Sequence, residues 1–80
     1  MILITSAQMR AAQALLRWSA SDLAEKAKLG VATVRRAEAN DGEPAITSAN
    51  CEAIFRALEV AGVEFIPENG SGAGVRLRKP

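Results

Sequence analysis

Eighty residues leave room for one domain with one modest core, and none for a separate catalytic module. Apolar residues make up 49%, too many for a disordered chain, and the net charge of +1, from ten Lys/Arg against nine Asp/Glu, gives no bulk charge by which to choose a partner. A single cysteine excludes an intramolecular disulfide.

Residues 1–4 are apolar but too short, and without a basic flank, to serve as a signal peptide. No stretch approaches the ~18 apolar residues of a membrane span, so a cytoplasmic protein with no membrane contact is expected. Sixteen alanines against three Phe and Trp predict closely packed helices, since alanine favours helix and adds little bulk.

In chain order, Thr5-Ser6-Ala7-Gln8 has the form of a capping box and predicts a first helix over residues 6–17. Met9, Ala12 and Leu16 recur along its inward stripe, with Trp18 as a lid on the core. Ser19 and Asp22 repeat the box and open a short second helix, whose inward face is Leu23, Ala24 and Ala27. After Lys28-Leu29-Gly30 a helical pattern resumes over 31–39. Residues 40–44, Asn-Asp-Gly-Glu-Pro, are a loop.

Thr47 caps a fourth helix, Ile46 is placed to staple onto Cys51, and Cys51, Ile54, Phe55, Leu58 and Ala61 share one face. Gly62 is the left-handed stop. Two short β-type runs, 63–66 and 75–78, joined by a glycine-rich loop, complete a C-terminal hairpin over about 63–78. The fold class read from these elements is mainly α: four helices and a C-terminal β-hairpin in a single domain over 1–80.

Two short helices about three residues apart form a helix-turn-helix over about 20–39, a geometry in which the second helix can enter a DNA major groove. Residues 26–36 carry Lys26, Lys28, Arg35 and Arg36 with no acid among them, whereas Asp41, Glu43, Glu52, Glu59, Glu64 and Glu68 lie elsewhere. With Val34 turned to the core, Ala37 and Glu38 stay within about 60° of it. Ala32 and Arg36 then point outward, flanked by Thr33 and Arg35. Ala24 is small where the two helices must approach closely. The plain alternative is a pair of solvated arginines on a surface helix.

Leu23-Ala24, Ala27, Leu29 and Thr33-Val34-Arg35-Arg36-Ala37-Glu38, with Gln8-Met9-Arg10-Ala11-Ala12 before them and Ala57-Leu58-Glu59 through Phe65 after, resemble the repressor/Cro-like (XRE) class of helix-turn-helix transcription regulators. The resemblance covers nearly the whole chain. It implies a sequence-specific regulator of double-stranded DNA, without cofactor or metal, bound as a homodimer to an inverted-repeat operator.

The DNA-facing residues would be Arg36 for base reading, Arg35 and Thr33 for phosphates, Val31 and Ala32 on the groove floor, and Lys28, Ser19 and Ser21 nearby. A twofold interface would draw on Phe55, Phe65 and Ile66. The sequence departs from the class at Ala20, where glutamine is common, and at Lys28, where glycine is usual and a positive φ is expected. It departs also at Gly30, a weaker helix cap than Ser or Thr, and in the acids Asp41 and Glu43. Gln13 stands where the class often has an arginine paired with the glutamate matching Glu38, so a Gln13–Glu38 hydrogen bond, direct or bridged by water, is expected.

Enzymatic readings are poor. Histidine, the commonest general base and metal ligand, is missing, and Cys51 lies on an inward face as a small buried hydrophobe. The rival reading is a helix-turn-helix module that has lost DNA binding and pairs with a second regulatory protein or a toxin.

Overall fold

The computed structural model describes residues 4–40 and 42–79, so expectations on Asp41 and on the chain ends lie outside the described residues. Three of the four helices begin where a side chain takes up a free amide of the first turn. Thr5 accepts the Gln8 amide at 3.0 Å while the Gln8 side chain takes the Thr5 amide at 2.8 Å, and α1 runs over Ser6–Leu16. The same reciprocal pair, Ser19 with Asp22 at 3.1 and 2.9 Å, opens α2 over Ala20–Ala27. Gly30 precedes α3 (Val31–Glu38) with no side chain to offer, and Thr47 takes the Asn50 amide at 3.1 Å to open α4 (Ser48–Val60). Strands β1 (Val63–Ile66) and β2 (Gly74–Leu77) pair antiparallel, with Val63 opposite Leu77 and Phe65 opposite Val75.

The helix ends explain small departures from the expected boundaries. Arg17 adopts φ 58°, so α1 stops one residue early, and the Trp18 amide closes back on the Gln13 carbonyl at 2.9 Å. Lys28, as expected, is left-handed at φ 60° and ends α2 the same way, with the Leu29 amide on the Ala24 carbonyl at 2.9 Å. Gly62 at φ 108° turns the chain out of α4 and into β1. α3 ends at Glu38 rather than Ala39, and β2 starts at Gly74, opposite Ile66, one residue before the expected run.

The core gathers Met9 and Ala12 of α1, Leu23 and Ala24 of α2, Val34 and Ala37 of α3, Ile54 and Leu58 of α4 and Val63 of β1, with Ile4 at its edge. Each fully buried Leu, Ile, Val or Met contributes about 1.5–3 kcal/mol relative to exposure. Trp18 packs half-buried against this cluster, as a lid would. Ala24 is 5% exposed between α2 and α3, where a longer side chain would hold the two helices apart.

Polar contacts fix the remaining elements. Gln8 donates from Nε2 to the carbonyls of Gly74 at 3.0 Å and Ile66 at 3.3 Å, clamping both strands to α1. Ser6 donates its hydroxyl to the Ala37 carbonyl, and Arg10 reaches the carbonyls of Glu38 and Asn40 at 2.6 Å each. The C-terminal turn of α3 is thereby held from α1, which satisfies acceptors the helix cannot satisfy itself.

Two expectations, a direct Gln13–Glu38 bond and the full burial of Cys51, are corrected. No direct hydrogen bond joins Gln13 to Glu38 among the described residues. Gln13 is buried with its Oε1 unpartnered, and Glu38 lies half-buried with its backbone carbonyl on Arg10. Cys51 is half-buried, not buried. It packs at the core margin, where desolvation, reinforced by the nearby Glu43 carboxylate, pushes its thiol pKa up and away from nucleophilic use.

Candidate nucleic-acid interface

The three residues Lys28-Leu29-Gly30 join α2 to α3, and the two helices pack through Leu23, Ala24, Val34 and Ala37. With Val34 and Ala37 at 0% exposure, the opposite side of α3 must face outward, and Ala32, Arg35 and Arg36 are all exposed there. Thr33 is half-buried beside them and accepts from Arg36 Nη2 at 3.4 Å, a long bond that tilts the guanidinium toward the helix. Val31 is half-buried, as Thr33 is, and packs in part against the core.

Arg36 and Thr33 border a cleft whose other wall is Pro44, Ala45, Ile46, Thr47 and Asn50. The first turn of α4 therefore stands beside the outward face of α3. Amides at a helix start carry partial positive charge, so this neighbour reinforces the arginine rather than opposing it. The sequence supplied Thr47 as a cap, but nothing in it placed Thr47 and Asn50 across from Arg36.

The remaining expected contact residues are spread along α2. Ser19 and Ser21 are exposed at its start, and the Ser19 hydroxyl is already engaged as the cap. Lys28 is exposed at the other end, about 12 Å away along an eight-residue helix. Lys28 lines a different groove, between α2 and α4, with Trp18, Lys26, Ala57 and Val60, and no residue of α3 borders it. The structure thus brings Arg36 and Thr33 to one cleft and sets Lys28 apart from it.

The residues expected at a twofold interface lie on α4 and β1. Phe55 of α4 and Phe65 of β1 stack with centroids 5.1 Å apart and planes inclined by 32°, and both are half-buried, as is Ile66. Among the described residues no group of three or more His, Cys, Asp or Glu is placed to hold a metal ion, and no helix is long and apolar enough to cross a membrane. Neither family models nor the curated proteins give a match to this chain.

Proposed function

We propose that this chain is a sequence-specific DNA-binding regulator of transcription, acting in the cytoplasm without a cofactor and as a homodimer on an inverted repeat. The observation that carries the reading is the outward face of α3, where Ala32, Arg35 and Arg36 stand exposed while Val34 and Ala37 seat the helix on α2. An eight-residue helix held from behind, small at Ala32 and cationic at Arg35 and Arg36, suits entry into a major groove. Arg36 is the candidate base reader, because a guanidinium matches O6 and N7 of guanine bidentately. Arg35, Thr33 and the first turn of α4 supply phosphate contacts, a helix start being a natural anion site. Ser19 and Ser21 add hydroxyls at the start of α2.

The test is binding to random duplex DNA across salt concentration. A groove reader that neutralises a few phosphates weakens steeply as salt rises. Absence of any duplex binding at low salt would instead favour the module that pairs with a second regulatory protein.

A further inference from the structure

A groove of about 530 Å³ lies between α2 and α4, away from the Arg36 cleft. Its floor is apolar: Ala27 of α2 and Ala53, Ala57 and Ala61 of α4 are half-buried there beside Trp18. Alanines four apart share one helix face and keep that floor low. Val60 stands beside them at 87% exposure, the highest of the large apolar side chains described.

The rim is cationic, with Lys26, Lys28 and Arg56 and no acid among the lining residues. Arg56 meets Glu52 Oε1 at 2.6 Å and is already engaged on its own helix. The side chains of Lys26 and Lys28 make no ion pair or hydrogen bond among the described residues. Two unanswered ammonium groups beside an apolar floor suit a ligand with an anionic head and an apolar body.

We propose that this groove binds a small amphiphilic carboxylic acid, an aliphatic chain or aromatic ring bearing one carboxylate. The apolar body lies over Ala53 and Ala57 against Trp18, and the carboxylate faces Lys26 and Lys28. Size separates such a ligand from a protein partner. From Ala53 to Ala61 the floor extends about 12 Å, and one helix face is about 10 Å wide. That is far below the ~800 Å² per partner of a stable protein interface. The volume, by contrast, falls within the roughly 300–1,000 Å³ usual for small ligands. No residue of α3 borders the groove, so its ligand does not compete with a partner on Arg36.

Trp18 is the only tryptophan of the chain, so its emission reports on the groove. Sodium octanoate or sodium phenylbutyrate, titrated into the full chain, should change that emission saturably at millimolar concentration or below. Octylamine, with the same chain and the opposite charge, should not. Lys26→Gln and Lys28→Gln should each weaken the acid roughly two- to fivefold. Val60→Ser should weaken it as well while the chain stays folded, because Val60 is so exposed. Amide shifts should move at Ala27, Ala57 and Val60 and stay fixed at Thr33 and Arg36. The proposal is overturned if neither acid binds, if octylamine binds as well as octanoate, or if both lysine substitutions leave affinity unchanged. A groove that ignores both acids yet takes an acidic amphipathic peptide is a protein-docking surface, which overturns it too.

Discussion

Phe55 and Phe65 stack at 5.1 Å between centroids, and this contact ties α4 to β1 just after the chain reverses at Gly62. Both rings are only half-buried, so each depends on the other for much of its apolar cover. Phe65→Ala should therefore destabilise the fold by roughly 2–4 kcal/mol, at or below the usual range for a buried ring. A double-mutant cycle with Phe55→Ala should show coupling of about 0.5–1.5 kcal/mol. Additive losses in chemical denaturation would mean that the rings do not support one another.

The four helices and the hairpin could be read from the chain because their signals are local. Thr5 with Gln8, Ser19 with Asp22 and Thr47 mark starts by short-range hydrogen bonds, and Gly62 marks a stop by its backbone freedom. The periodicity around Val34 likewise separates the outward Arg36 from the inward Ala37. What stayed hidden is long-range: Arg10 on the α3 carbonyls, Gln8 clamping Ile66 and Gly74, and the α4 start beside Arg36 each join residues distant in sequence. The direct Gln13–Glu38 bond is missing for the same reason. It requires a shared orientation of α1 and α3 side chains, but the α3 end is instead held through its carbonyls.

Lys28 holds φ 60° with a side chain, a conformation that costs an L-residue about 1–2 kcal/mol against a right-handed one. Lys28→Gly should raise stability by roughly 0.5–1 kcal/mol, after allowing for glycine's greater unfolded freedom. Thermal unfolding should shift upward by several degrees. Since Lys28 lies off the Arg36 cleft, duplex affinity should change little. A loss of affinity with a flatter salt slope would return Lys28 to the DNA contact set.

Glu68 organises the loop between the strands, its Oε1 accepting the Gly70 amide at 2.7 Å and the Gly72 amide at 2.9 Å. Chiefly these bonds favour the carboxylate, so its pKa lies below the ordinary 4.5. A lowered folded pKa means the contribution is complete above the unfolded value and is lost as pH falls through the folded one. Amide shifts of Gly70 and Gly72 should therefore titrate with a midpoint below 4.5, and Glu68→Gln should abolish the titration. A midpoint at or above that value would show the carboxylate free of the loop.

Arg36 and Arg35 differ in their roles on the proposed interface, and the difference is measurable. Arg36→Ala should cost about 1–3 kcal/mol on the preferred site and relax discrimination at one base pair. Arg35→Ala should weaken all duplexes alike and reduce the salt slope by about one. Neither change should alter folding stability appreciably, because both side chains are exposed. Fluorescence anisotropy on matched and mismatched duplexes separates the two, and unchanged binding in both variants would remove α3 from the interface.

Gln13 is 6% exposed and its Oε1 has no hydrogen-bond partner. A buried amide oxygen left unpaired forfeits its hydration, a cost of about 1–3 kcal/mol. Gln13→Met keeps the unbranched length and removes the acceptor, so it should stabilise the fold by about 1 kcal/mol, the gain being trimmed by any donor bond the amide nitrogen makes. Gln13→Glu should act in the opposite direction, because it places a carboxylate at a position only 6% exposed. Urea denaturation of the two variants reads both signs at once. If Gln13→Met lowers the midpoint instead, the oxygen is satisfied by a buried water, and the α1 face behind α3 is a hydrated polar seam rather than a gap in the hydrogen bonding.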